Sequence, residues 1–114
     1  MESKKLKLLI TIVDRNLGQK VTQILREEQV LINNISLGKG TVDDTFLQYL
    51  GIGVKDKDIV FSVVNNSLIP NIFTRFQNDL HFNQAGRGIA FTIPIESIGN
   101  DQVIKILIGG KKDE

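Results

Sequence analysis

Asn83-Gln84-Ala85-Gly86-Arg87-Gly88-Ile89-Ala90-Phe91-Thr92-Ile93-Pro94-Ile95-Glu96 sets a glycine turn carrying one guanidinium directly ahead of an apolar strand. Gly86 and Gly88 let backbone approach a ligand closely, and Arg87 between them is placed to meet an anion. Leu37-Gly38-Lys39-Gly40-Thr41 has the same glycine-base-glycine form, but it follows a strand instead of preceding one. The two turns are expected to meet at one site, with the rest of the chain as their scaffold.

The chain has 114 residues, enough for one domain with a real core and too few for two. Residues 1–108 read as that domain and 109–114 as a frayed tail. Fourteen basic against thirteen acidic residues leave a formal net charge of +1, which gives no support to nucleic acid as a partner or to insertion into a membrane. There is no cysteine, so thiolate nucleophiles, disulfides and Cys-containing zinc sites are excluded, and the single His81 excludes a histidine cluster for metal. The charged opening Met1-Glu2-Ser3-Lys4-Lys5 and the shortness of the apolar run 6–13 argue against a signal or membrane helix. A cytoplasmic location is the expectation.

In chain order, residues 6–13 are rich in β-branched side chains and form the first strand, with Leu6, Leu8, Ile10 and Ile12 on one face. Asn16, followed three residues on by Gln19, fits an N-cap with a capping box. Leu17, Val21, Ile24 and Leu25 then recur at helical spacing. A second strand runs over 30–37, and its Asn33-Asn34 pair reads as solvent-facing. Residues 41–57 make a long insertion whose apolar centre, 45–50, reads as a hairpin, and whose closing charges Lys55-Asp56-Lys57-Asp58 read as a solvated loop. The run 59–64, almost continuously apolar, reads as a central strand. Ser67 suits an N-cap ahead of Pro70, and Ile69, Ile72, Phe73, Phe76 and Leu80 form a second helical stripe. His81 reads as a capping or surface residue, 89–95 as the fourth strand, and 103–108 as a fifth.

Strand, helix, strand, strand, helix, strand predicts an α+β domain of the ferredoxin-like βαββαβ type with an extra C-terminal strand: an antiparallel sheet with both helices on one face. Leu9, Val13, Phe61, Val63, Phe91 and Ile93 supply more apolar side chains than two helices can cover. An oligomer is expected, because a bare apolar sheet face is an interface.

This order of elements, the Gly38-Lys39-Gly40 turn after the second strand, the long loop beyond it and the Gly86-Arg87-Gly88-Ile89-Ala90-Phe91 entry to the fourth strand resemble the PII nitrogen-regulatory signalling superfamily. The resemblance spans about residues 5–96. It implies a homotrimer whose sheets face a three-fold axis, with adenine nucleotides in clefts between subunits and a mobile loop that reports ligand state to a protein target such as a transporter or an enzyme. By position it makes Gly86, Arg87, Gly88 and Ile89 the phosphate turn, Gly38, Lys39, Gly40 and Thr41 the loop base, and Phe46, Gln48 and Tyr49 part of the effector segment.

Two departures bear on the ligand. Well-known members carry a lysine where this chain has Ile89, and an arginine pair where it has Glu96-Ser97-Ile98-Gly99-Asn100. Each absent charge-assisted contact weakens phosphate binding by about 1.5–3 kcal/mol. ADP or AMP, or cyclic di-AMP, therefore suits the site better than ATP with Mg²⁺, and backbone N–H groups of the turns can still hold one phosphate. No cofactor is obligatory.

Each feature has a plainer reading. Alone, Gly-Arg-Gly is a tight turn with a solvated arginine, Lys39 a surface lysine, and Phe46 and Tyr49 the inside of a hairpin. No Ser-His-Asp order, no paired carboxylates in a glycine-rich context and no phosphate-loop motif is present, and Asp43-Asp44 reads as turn chemistry, so an enzyme is not expected. The leading expectation is a nucleotide-sensing regulatory trimer. The alternatives are a cyclic di-AMP receptor of the same type, a purely structural trimer of CutA-like shape, and edge addition of the fifth strand to a neighbour's sheet.

Overall fold

The computed structural model of the protein describes residues 5–38 and 56–96. The expected hairpin in 41–57 and the fifth strand at 103–108 lie outside the described residues. The elements are β1 (Leu6–Asp14), α1 (Gly18–Glu27), β2 (Ile32–Gly38), β3 (Lys57–Asn65), α2 (Ile69–Leu80) and β4 (Ile89–Pro94), with a 3-10 turn at Asn66–Leu68 ahead of α2. The four strands form one sheet in the order β2-β3-β1-β4, every pair antiparallel. This is the ferredoxin-like arrangement expected, with β3 inside the sheet as its continuous hydrophobicity required. Among the described residues no helix is long and apolar enough to cross a membrane.

Period two sorts each strand into two faces. Leu9, Thr11 and Val13 of β1 lie opposite Ser62, Val60 and Asp58 of β3, and all six are buried. Leu9, Val13, Val60 and Val64 join Val21, Ile24 and Leu25 of α1 and Ile72, Phe76 and Leu80 of α2 in a single core, so both helices cover this face. Outside the core, Arg75 of α2 reaches Glu27 (3.0 Å) and Glu28 (3.2 Å) at the end of α1 and Asp79 (2.8 Å) in its own helix. These carboxylates, Asp79 first, push its pKa up and hold it charged. The tie is exposed and adds little to stability.

The opposite face carries three transverse rows: Ile32, Val63, Leu8 and Ile93; then Asn34, Phe61, Ile10 and Phe91; then Ser36, Ile59, Ile12 and Ile89. Within these three rows only Asn34 and Ser36, both on edge strand β2, interrupt the apolar character. Phe91 and Ile93 are 41% and 44% exposed. Leu8, Ile10 and Ile12 share this face as expected, while Leu9 and Val13 belong to the core.

Several local expectations change. Asn16 does not cap α1: it sits at φ 82° and Leu17 takes the cap position without a side-chain bond. Ser67 does not cap the second helical segment either. The Asn65 side chain accepts from Ser67 N (3.0 Å), and Ile69 to Leu80 follows with Pro70 in its first turn. His81 closes α2 in the left-handed conformation, as its capping role predicts. Strand β2 begins at Ile32, because Val30 turns into the core and its N–H bonds Leu25 O at 2.8 Å. Asn33 is not solvent-facing: its amide donates to Val30 O (3.2 Å) and its carbonyl accepts from Ser62 Oγ (2.6 Å).

Thr11, fully buried at the centre of the covered face, has a hydroxyl with no partner among the described residues. An unsatisfied buried hydroxyl costs free energy that a methyl of the same shape does not. Thr11→Val is expected to stabilise the protein by about 1 kcal/mol, raising the thermal midpoint by roughly 4 °C in a melting experiment.

Candidate functional site

The ends of β2 and β3 that flank residues 39–55 are fastened by charge. Asp58, 4% exposed, has the strand parity of Val60 and Val64 and so points toward α1. Its Oδ2 accepts from Asn16 N (2.8 Å) and Gly18 N (3.0 Å), and its Oδ1 pairs with Arg15 Nε at 3.2 Å. A carboxylate from β3 thus caps the N-terminus of α1, where free N–H groups and the helix dipole favour negative charge. Gly18 is required for the approach, since a Cβ there would lie 2.8 Å from Asp58 Oδ2.

Arg15 completes the arrangement. Its Nη2 donates to Gly38 O (3.4 Å), the last residue of β2, and to Lys57 O (3.4 Å), the first of β3. Nη1 lies 3.8 Å from Asp56, and Lys57 pairs with Asp14. Lys57 and Asp58 are therefore buried strand residues and not part of a solvated loop, which corrects the expectation for these two, while Asp56 is exposed and Lys55 lies outside the described residues. Among the described residues Asp14, Asp56 and Asp58 face Arg15 and Lys57, three carboxylates against two cations.

The second glycine turn is electrostatically the opposite. Gly86 and Gly88 take φ of 82° and 148°, values that favour glycine. A Cβ on Gly88 would meet the Phe82 ring at 2.8 Å and Ile12 O at 3.0 Å, so the turn lies flat on β1 and that ring. Arg87 N donates to Gln84 O (3.3 Å), while the N–H groups of Gly86 and Gly88 meet no acceptor among the described residues. Arg87 is exposed and forms no ion pair among them. Unpaired amides beside an unpaired guanidinium make an anion-receptive turn. Behind it, between α2 and β4, an open cleft of about 200 Å³ is lined by Phe73, Phe76, Gln77, Phe82 and residues 88–90.

Of the expected nucleotide-binding residues, Gly38, Gly86, Arg87, Gly88 and Ile89 are described. Lys39, Gly40, Thr41, Phe46, Gln48 and Tyr49 lie outside the described residues. Gly38 and Gly88 stand at the same end of the sheet but at opposite edges, next to β3 and β1 respectively. Three inter-strand steps of about 4.8 Å separate them by roughly 14 Å within one chain. Ile89 opens β4 opposite Ile12 on the face away from the helices. Among the described residues no group of His, Asp or Glu could hold a metal ion.

No family model and no curated protein matches this chain. Solved structures do. CPII from Thiomonas intermedia K12 bound to ADP, AMP and acetate superposes with a TM-score of 0.66 at 19% identity, over 90% of this chain and 93% of that one. CPII bound to ADP, AMP and bicarbonate, described as a nitrogen regulatory PII-like protein, gives 0.61 at 21% identity over 83% and 93%. The chain has the PII-like fold. A DUF3240 family protein from Shewanella baltica OS155 shares it as well, with a TM-score of 0.59 at 13% identity over 84% of this chain and 96% of that one. Against this PII-like frame, Arg15, Gly18 and Asp58 are the residues that sequence reasoning missed. The parity of Asp58 with Val60 and Val64 was the signal that could have found them.

Replacing Asp58 with alanine leaves two helix N–H groups and one guanidinium without their acceptor. Asp58→Ala is expected to lower stability by about 1–3 kcal/mol in urea denaturation, with Asp58→Asn losing less because its carbonyl still accepts. Equal midpoints for the wild type and Asp58→Ala would remove this carboxylate from the structural role given it here.

Proposed function

We propose that this protein is a PII-like signalling module that senses an adenine nucleotide, ADP, AMP or ATP, at clefts between the subunits of a homotrimer, with or without Mg²⁺. The observation that carries the reading is the Gly86-Arg87-Gly88 turn, whose exposed guanidinium and two glycine amides have no partner of their own among the described residues. Structures of the same fold that hold ADP and AMP add support. The placement of Gly38 and Gly88 on opposite edges favours a site between copies, since β2 of one subunit beside β4 of the next brings the two turns together. The apolar face that neither helix covers is a surface on which such copies would pack.

In this reading the protein regulates and does not catalyse. Nucleotide at the glycine turns alters the segment between β2 and β3, with Phe46, Gln48 and Tyr49 in its effector part, and so switches contact with a protein target, a transporter or an enzyme. The Arg15 bonds to Gly38 and Lys57 are the hinge from which that segment departs. The same apolar face also favours a second reading, a structural trimer of CutA-like shape, and nucleotide binding separates the two.

The test is a thermal-shift panel with ATP, ADP, AMP, cyclic di-AMP and 2-oxoglutarate, each with and without Mg²⁺. A ligand at a hundred times its dissociation constant adds about 2.7 kcal/mol. ADP or AMP is expected to shift the midpoint selectively, and Arg87→Ala to reduce that shift without altering the ligand-free midpoint. A shift with cyclic di-AMP alone would reassign the ligand. No shift with any compound would leave the structural trimer.

A further inference from the structure

Strand β2 has an apolar pattern at odds with its surroundings. Ile32, Asn34 and Ser36 lie on the sheet face away from the helices, and Asn33, Ile35 and Leu37 on the helix side. Neither Ile35 nor Leu37 joins the core, which is built on β1 and β3. Leu37 is 66% exposed, and Ile35 is 39% exposed, the same as Ile32 on the opposite face. Register is strongly specified where burial tells one face of a strand from the other, and in β2 it does not.

A slide of β2 by one residue along β3, with Asn34 taking the place of Asn33, moves every side chain of the strand to the other face. Ile35 then stands beside Phe61 and Leu37 beside Ile59, so the rows through Ile10 and through Ile12 become apolar from edge to edge. Ser36 and Gly38 pass to the exposed places that Ile35 and Leu37 held. Asn33 replaces Ile32 in the first row, the loss on that face.

Three features keep the cost of this slide small. Asn33 Oδ1 accepts from the buried Ser62 Oγ at 2.6 Å, and the next residue, Asn34, offers the same amide once it arrives there. The extra residue falls at Leu31, which is exposed and lies outside the strand, so Val30 keeps its place in the core. At the other end, a side chain entering at the place of Gly38 first meets the tip of Ile59, whose Cδ1 lies 2.9 Å from an added Cβ and which another rotamer moves aside.

We propose that β2 has two registers on β3, one residue apart, and that burial of the apolar sheet face selects the second. In water Asn34 and Ser36 suit that face, and the observed register holds. Under a covering surface these two side chains lose water and keep one bond between themselves, at 3.1 Å, whereas Ile35 and Leu37 fill the same places with apolar surface. The slide draws the chain beyond Gly38 in by one residue, about 3.4 Å, so packing on the sheet face is felt where the segment after β2 begins. Selection rests on the reading above that copies of the chain pack on this face. The existence of two registers does not.

Disulfide trapping in the full chain tests it, since the protein has no cysteine of its own. Ser36→Cys with Ile59→Cys sets two thiols opposite one another in the observed register. Leu37→Cys with Ile59→Cys does so only after the slide, because Leu37 and Ile59 otherwise lie on opposite faces. Both variants carry Ile59→Cys, so any loss of stability from that change is common to the two. Intrachain closure under mild oxidation is followed by mass spectrometry, with sedimentation velocity at the same concentrations. In the unassociated chain the first pair is expected to close roughly tenfold faster than the second, and on association the order is expected to reverse. Closure of the first pair alone at every concentration would overturn the second register. A ratio unchanged by association would overturn its selection by the covered face. If the chain stays a single subunit throughout, packing on this face falls, and the ratio of the two closures still decides whether the second register exists.

Discussion

One carboxylate, that of Asp58, joins three parts of the chain that are far apart in sequence. Its two oxygens accept from the backbone of residues 16 and 18 and pair with the Arg15 guanidinium, so the first helix begins where the third strand dictates. A buried charge is costly unless its bonding capacity is filled, and here it is filled by groups that have no other use at a helix N-terminus. Arg15 passes the constraint on to the carbonyls of Gly38 and Lys57. The geometry of the end of β2, the start of β3 and the start of α1 is thus set together.

The sheet has one face for folding and one left over. Both amphipathic helices bury their stripes against Leu9, Val13, Val60 and Val64, and this uses up the helical surface available. The rows centred on Ile10 and Phe61 lie on the other side, beyond reach of either helix. Charge is likewise divided along the end of the sheet. Among the described residues the β2/β3 side carries the carboxylates, and the β4 side carries an arginine between two glycines that forms no ion pair, so of the two the latter is the more receptive to an anion.

Much of this architecture was legible in the residues. Alternating apolar positions gave the strands, the 3.6-residue stripes gave both helices, and the order of elements gave the sandwich. The glycine turn at 86–88 was legible too, because positive φ and close packing on Phe82 are requirements that few residues other than glycine meet. What could not be read was which of several competing polar groups takes each bond, most often a group remote in sequence. The Asn16 and Ser67 caps looked sound by local rules, but Asp58 supplied the first bond from 40 residues away and Asn65 the second from two residues upstream. Lys57 and Asp58 looked solvated because charge is usually outside, and their pairing with Asp14 and Arg15 helps make burial tolerable. The separation of the two glycine turns across the sheet follows from strand order, which no local pattern contains.

That strand order also governs when the fold can be completed. β1 is made first and lies in the interior of the sheet, yet its partners are remote: Leu6 pairs with Asn65 and Lys7 with Pro94. Only β2 and β3 are consecutive in the sheet and in the chain. A topology dominated by such distant pairings closes large loops before it gains contacts, and it folds slowly for its size. During synthesis the apolar β1 stays without a strand partner until β3 has emerged, and its second edge is closed only by β4, near the end of the described domain.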